Sequence, residues 1–363
     1  MNNFNSEKWI PWMRRALQLA DLADGETSPN PLVGAVVLDS NDNLIGEGFH
    51  SAAGKPHAEV EALRQAGDAS QGGTLMVTLE PCCHQGRTPP CTDLILNSGI
   101  KRVVIGLKDP DPRVSGKGIA ILKSSGIDVI TGVLEEEALY QNRAFVFRVQ
   151  TGRPWGILKW AMSFDGRIGL PNGTSKWITS EDARSKVHAL RAKCDAVIIG
   201  GGTLRADDPL LTSRGMSDPE PKRVVFTSSL DLPKSAKIWD TETAESIIAF
   251  GSEVRSEQLE QLPQAPSKLP LNESNPKELL EELAKKGCNR ILWECGPSLA
   301  TKAIENDCVQ EIFVFMAPKL IGGLSSMNPL SNFGFYSMEE VFSLTDVSLE
   351  KIGKDFVLKM LLK

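Results

Sequence analysis

A chain of 363 residues holds two domains of roughly 150 residues each, and 41% hydrophobic with 24% charged residues is the balance of a packed core, which excludes disorder, collagen-like repeats and coiled coil. The net charge of −6 argues against a nucleic-acid partner, because proteins that hold phosphate backbones carry a basic excess. No apolar run approaches the ~20 residues that span a bilayer, and Arg14, Arg15 and Asp21 interrupt the stretch that a signal peptide keeps apolar, so a soluble, cytoplasmic protein with no membrane partner is expected.

Residues 11–23 place apolar side chains at 12, 13, 16, 17, 20 and 23, a helical stripe. Residues 32–39 (LVGAVVLD) form a buried strand, and His57 opens a helix that Gly67 stops. A strand over 74–80, a helix over 91–99, a strand over 102–107 and a helix over 135–147 follow. This alternation predicts a largely parallel sheet with helices on both faces. The pattern breaks near 150–152 and restarts, giving two domains, 1–150 and 151–363. The second carries strands over 156–162, 194–200, 222–228, 246–251, 289–294 and 311–316, with helices near 180–193, 276–286 and 297–305. The Ser-, Glu-, Gln- and Pro-rich stretch 252–278 reads as an exposed loop with a short helix.

Seven cysteines are too sparse for a disulfide scaffold and odd in number, yet Cys82, Cys83 and Cys91 cluster beside His84. Upstream lies P-H-A-E at 56–59, and His-x-Glu followed by Pro-Cys and a second Cys is the signature of zinc deaminases of nucleobases and related rings. One imidazole and two thiolates hold Zn²⁺ tetrahedrally and leave a fourth position for water. A carboxylate must then carry the water's proton to the departing ammonia. His57, Cys82 and Cys91 are assigned to zinc and Glu59 to proton transfer. Eight residues separate the two cysteines, so Cys83 and His84 stand as competing ligands. Cys82 is preferred because it follows Pro81 at a strand end, and Cys91 because a helix start favours thiolate.

S-P-N-P-L-V-G-A-V-V (28–37), G-E-G-F-H (46–50), H-A-E and T-L-E-P-C-C-H-Q-G-R-T-P-P-C together resemble the deaminase half of the bifunctional riboflavin-biosynthesis deaminase–reductases. The resemblance implies a cytidine-deaminase-like α/β/α domain that acts on 2,5-diamino-6-(5-phosphoribosylamino)pyrimidin-4(3H)-one. It makes Asn30 and His50 pocket residues near the base and Arg87 a phosphate contact.

The second half has no G-x-G-x-x-G. It offers VIIGGGT (197–203) and ILWECGPSLATK (291–302), where glycine, proline and a hydroxyl at a helix start suit a pyrophosphate. K-W-A-M-S-F-D-G-R (159–167), S-K-W-I-T-S (175–180), L-R-A-K-C-D-A (190–196), G-G-T-L-R-A-D-D-P-L-L-T-S-R (201–214) and A-P-K-L-I-G-G (317–323) resemble the reductase half of the same family. That implies a dihydrofolate-reductase-like α/β domain using NADPH. By position, Ala161, Trp177, Thr203, Asp207, Ser228 and the turn Gly296, Pro297, Ser298, Leu299, Ala300, Thr301, Lys302 contact NADPH. Ser175, Arg191, Leu211, Arg214 and Glu294 contact the substrate, the two arginines taking a sugar phosphate. Ser228 and Ser229 receive the 2′-phosphate, while Lys159 or solvent protonates the ribose ring oxygen. The implied sequence is hydrolytic deamination followed by reduction of ribosyl to ribityl. The partner is therefore a small phosphoribosyl pyrimidine rather than nucleic acid, and the expected assembly is a homo-oligomer.

Overall fold

The computed structural model describes residues 7–85, 89–112, 114–254, 256–323 and 325–363, and Arg87 lies outside them. The chain divides into two compact units, Met1–Gly152 and Arg153–Lys363.

The first unit runs Ile10–Asp21 (α1), Gly34–Leu38 (β1), Leu44–Phe49 (β2), Ala58–Ala66 (α2), Thr74–Leu79 (β3), Cys91–Asn97 (α3), Arg102–Leu107 (β4), Lys117–Ser124 (α4), Asp128–Thr131 (β5), Glu135–Gln141 (α5) and Arg143–Thr151 (α6). Its sheet has the order β2-β1-β3-β4-β5. The two pairings made by β1 are antiparallel, and those of β3 with β4 and β4 with β5 are parallel, so the sheet is mixed rather than largely parallel. Alternate residues of its strands go to opposite faces. Ala35, Val37, Leu75, Val77, Val103 and Ile105 pack on Ala58, Ala62, Ile95 and Leu122 of α2–α4. Val36, Leu38, Met76 and Val104 meet Met13, Ala16 and Leu19 of α1. Helices on both faces complete an α/β/α sandwich.

Four elements depart from the sequence reading. Strand β2 hides in LIGEGF because α2 lies directly on it: a Cβ at Gly46 would sit 2.2 Å from Ala62 O, and one at Gly48 2.5 Å from Ala58 O. The glycines permit that approach and erase the hydrophobic signal. Helix α4 and strand β5 are short and half-exposed. The stretch 135–147 is two helices, broken at buried Asn142, whose amide exchanges two 2.8 Å hydrogen bonds with the Leu32 backbone.

The second unit runs Trp155–Ser163 (β6), Glu181–Ala192 (α7), Ala196–Gly200 (β7), Gly201–Asp207 (α8), Lys222–Phe226 (β8), Ser246–Gly251 (β9), Ser256–Glu260 (α9), Ser267–Leu271 (β10), Pro276–Lys285 (α10), Arg290–Trp293 (β11), Pro297–Glu305 (α11), Glu311–Ala317 (β12), Leu344–Ile352 (β13) and Asp355–Leu362 (β14). The sheet order is β10-β9-β8-β7-β11-β6-β12-β14-β13. The pairings from β10 through β12 are parallel; β14 and β13 close the edge antiparallel. One face packs on α10 and α11 through Leu279, Leu280, Leu283, Ala300 and Ile304. The other buries Val197, Ile199, Val225, Ile248 and Leu292 under Leu204, Leu230, Ile238 and Trp239. The stretch 252–278, read as loop with a short helix, contains α9 and also edge strand β10, whose SKLPL sequence is mostly exposed and carries a strand-disfavouring proline. The β13–β14 hairpin gives little sequence signal because nearly all of β13 faces solvent.

Candidate active sites

In the first unit, strand ends and helix starts bring three ligating atoms together. His57 is the extended residue just before α2, and Glu59 lies in that helix's first turn. The chain leaves β3 through Glu80 and Pro81 to Cys82, and Cys91 is the first residue of α3. The Cys91 N–H donates to Cys82 Sγ at 3.3 Å, while His57 Nδ1 lies 3.2 Å from Cys91 Sγ and 3.6 Å from Cys82 Sγ. The ligating atoms of these three residues lie within 4.8 Å of one another. Neither Cys83 nor exposed His84 joins that group among the described residues.

One nitrogen and two sulfurs at this separation, with the Glu59 carboxyl in hydrogen-bond contact with Cys91, fit a catalytic zinc. The electrostatics agree for Cys82 and run against the thiolate expected at Cys91. The bond from Cys91 and the neighbouring imidazole draw the Cys82 thiol well below its ordinary value, and the same bond with burial pushes Cys91 upward. A metal held by these residues would take both sulfurs as thiolates, with loss of their protons. Glu59 is 3% exposed, and burial raises its carboxyl toward the neutral form, which suits a group that must accept and return a proton.

Asn30 and His50 stand beside this centre. The His50 and His57 rings meet edge-on with centroids 5.5 Å apart. Asn30 Nδ2 donates to His50 Nε2 at 2.9 Å, so His50 Nδ1–H must donate to Pro56 O at 3.0 Å. That tautomer is neutral, and burial lowers the ring's pKa in the same sense. Glu80 has a further role hidden in the T-L-E-P motif. Its buried carboxylate accepts from the backbone N–H groups of Asp109, Gly116 and Ile119, tying the turn that leads to Cys82 to a distant segment.

In the second unit a cleft of about 930 Å³ opens at the carboxyl ends of parallel strands β7 and β11 beside β6, where open α/β sheets bind ligands. Its lining includes Ala161, Ser175, Trp177, Arg191, Thr203, Asp207, Leu211, Arg214, Glu294, Gly296, Pro297, Ser298 and Leu299. The two glycine turns sit side by side, since a Cβ on Gly296 would lie 3.7 Å from Thr203 Oγ1. Ser228 is exposed outside that lining, on the turn after β8. Ala300 and Thr301 are buried, Thr301 Oγ1 accepting from Ser331 N–H, and Lys302 is exposed one turn along α11.

The floor of the cleft is a buried charge triad. Arg191 grips Glu294 with both edges of its guanidinium, Nε to Oε1 at 2.6 Å and Nη2 to Oε2 at 3.0 Å, and Lys159 Nζ lies 3.5 Å from Oε2. Burial opposes ionisation of Glu294, but the two cations overcome it and hold the carboxyl at about 2. Burial likewise lowers Lys159 against the pull of Glu294. Arg191 Nη1 also donates to Thr212 O at 3.0 Å, so its guanidinium is committed within the protein. Arg214 is exposed, and among the described residues its guanidinium has no hydrogen-bond or ion-pair partner. His188, Lys176 and Lys237 also line the cleft, beyond the residues that the sequence pointed to. His188 had a signal, standing three residues before Arg191 on the same helical face.

Known proteins match both halves of the chain. Residues 6–107 match the cytidine and deoxycytidylate deaminase zinc-binding region, and residues 154–358 match the RibD C-terminal domain. The riboflavin biosynthesis protein RibD of Synechocystis is 46% identical over 346 residues, covering 95% of this chain and 94% of its own. That of Aquifex aeolicus is 42% identical over 96% of both. The RibD structure of Acinetobacter baumannii superposes with a TM-score of 0.89 at 38% identity over 99% of this chain and 100% of that one. A Thermotoga maritima diaminohydroxyphosphoribosylaminopyrimidine deaminase/5-amino-6-(5-phosphoribosylamino)uracil reductase does so with 0.87 at 35% identity over 99% of both. No helix among the described residues is long and apolar enough to cross a membrane. The chain belongs to the RibD family of bifunctional riboflavin-biosynthesis enzymes, which join a zinc-dependent deaminase to an NADPH-dependent reductase.

Proposed function

We propose that residues 1–150 deaminate 2,5-diamino-6-(5-phosphoribosylamino)pyrimidin-4(3H)-one and residues 151–363 reduce the resulting 5-amino-6-(5-phosphoribosylamino)uracil. The observation that carries the reading is the convergence of His57, Cys82 and Cys91 beside buried Glu59. Zinc, when bound, supplies a Lewis acid that lowers the pKa of water from 15.7 toward about 7. Glu59 takes the proton from the attacking water and delivers it to the leaving ammonia. Asn30 and neutral His50 orient the ring, with Pro56 O keeping the proton on His50 Nδ1 and so leaving Nε2 as the acceptor.

In the reductase, Ala161, Trp177, Thr203, Asp207, Ser228 and the turn from Gly296 to Lys302 contact NADPH. The Ala300 N–H already bonds Gly296 O at 3.0 Å, so among the described residues the amides free for a pyrophosphate are those of Gly296, Ser298 and Leu299. NADPH, when bound, supplies the hydride that adds to C1′. The C1′–O4′ bond opens, and Lys159, 3.5 Å from Glu294, or solvent gives the ring oxygen its proton. Arg214 takes the substrate phosphate in the cleft that Ser175 and Leu211 also line, while Arg191 and Glu294 shape the ribose end.

The enzyme works in the cytoplasm as a homo-oligomer. Edge strand β13 supports self-association, since Val347 and Leu349 are 61% and 62% exposed. Light scattering on the purified chain tests that part. The chemistry is tested by product mass. Deamination adds about one mass unit as amine becomes carbonyl, and NADPH adds about two more. The first step without the second leaves a deaminase alone, and no change with zinc-loaded protein sinks the substrate assignment.

A further inference from the structure

Arg214, unpaired among the described residues of the reductase cleft, stands on a strap that its own residue types do not favour. Leu211 and Arg214 have φ of +57° and +59°, in the left-handed region that side-chain-bearing residues avoid. Such a conformation persists only where the surroundings impose it. Three groups grip the strap. Arg191 Nη1 donates to Thr212 O at 3.0 Å, and the buried Arg223 guanidinium donates to Leu210 O at 3.4 Å. The third is Glu220, whose carboxylate accepts from the Ser213 N–H through one oxygen and from the Gly215 N–H at 2.8 Å through the other.

We propose that Glu220 is a positioning residue of the reductase: its carboxylate fork brackets the backbone on both sides of Arg214 and so presents that guanidinium to the substrate phosphate. The inference rests on the reading of Arg214 as the phosphate contact. The chemistry of the fork is specific. Two backbone donors require two acceptor oxygens, and a glutamine would turn an N–H₂ toward one of them. Pro219 and Pro221 flank Glu220 and restrict the backbone from which it reaches. Below the strap Ser213 is fully buried, its Oγ accepting from Ser217 N–H, so the clamp works at the point where the chain turns from core to cleft.

The test is steady-state kinetics of the intact two-domain protein. Glu220→Ala is expected to raise the reductase KM for 5-amino-6-(5-phosphoribosylamino)uracil about tenfold, as removal of one charge-assisted hydrogen bond to the phosphate would. The reductase kcat, the KM for NADPH and the deamination rate stay within about twofold, and Glu220→Gln falls between. The double variant Glu220→Ala/Arg214→Ala has the KM of Arg214→Ala alone, because one residue acts through the other. An unchanged KM in Glu220→Ala, beside a raised one in Arg214→Ala, overturns the inference. So do additive effects, or a Glu220→Ala change that falls on kcat or on NADPH. No effect of Arg214→Ala removes the reading of Arg214 itself, and the inference with it.

Discussion

The zinc centre and the reductase cleft solve the same problem, holding charge out of water, in opposite ways. The centre takes its ligands from two short motifs between residues 57 and 91, and its geometry follows from where a strand ends and two helices begin. The cleft gathers residues from 159 to 327, and its central charges meet only through the fold: Arg191 and Glu294 are 103 positions apart. A local site can lose one side chain and keep its shape, whereas a site held by a buried ion triad loses its architecture with its chemistry.

The sharpest way to break that contrast is Glu59→Gln. It keeps size and packing and removes the group that ionises, so deamination should fall about 10³–10⁴-fold, with zinc content and NADPH oxidation unchanged. Ammonia release and metal analysis on one preparation decide it. A variant near full rate would move the acid–base role elsewhere, and loss of zinc would make Glu59 part of the site's structure.

Glu294→Gln should behave differently, because it strands Arg191 and Lys159 without their shared anion. Breaking a buried pair costs about 3–5 kcal/mol, so reduction and the stability of residues 153–363 should fall together while deamination persists. Calorimetry with both assays reads this. The triad also sets a pH window. The Glu294 carboxyl is held at about 2, below its ordinary 4.5, so its contribution is complete above 4.5 and is lost as pH falls toward 2. The reductase unit should therefore lose stability through that interval, and a flat profile in the wild type would mean that the triad is not ionised as a unit.

The same contrast explains what could be read from the sequence. His57, Cys82 and Cys91 were legible as a candidate ligand set, and Glu59 as its candidate proton carrier, from motif spacing together with the strand end and helix starts, and among the described residues the fold groups the first three without Cys83 or His84. Both arginines were legible as charges, but not their division of labour: nothing near Arg191 in the chain says that its guanidinium is already spent on Glu294 and Thr212. Among the elements, β1, β3 and β4 announced themselves as apolar runs. Strand β2 did not, since its glycines exist to let α2 approach, and β13 did not, since it buries so little.

Asn30→Ala tests a smaller effect in the local site. Without the amide, His50 Nε2 loses its donor, while Pro56 O still keeps the proton on Nδ1. Losing one neutral hydrogen bond is worth about 0.5–1.5 kcal/mol, so the deaminase KM should rise several-fold with zinc retained. A fall in zinc content would place Asn30 in the metal's support instead.

The smallest effect belongs to Ser228, at the rim of the dispersed site. Its hydroxyl is exposed and outside the cleft lining, so on the proposed reading it would offer the 2′-phosphate a single contact that water can replace. Ser228→Ala should raise the KM for NADPH about two- to threefold, within the range of one exposed hydrogen bond. The KM for NADH, which has no 2′-phosphate, should not move. The ratio of the two is the informative quantity. If both rise together, Ser228 acts on the turn after β8 rather than on the phosphate, and selection for NADPH must come from charges that line the cleft, such as Lys176, which donates to Asp207 O, and Lys237, 3.4 Å from Asp208 Oδ2.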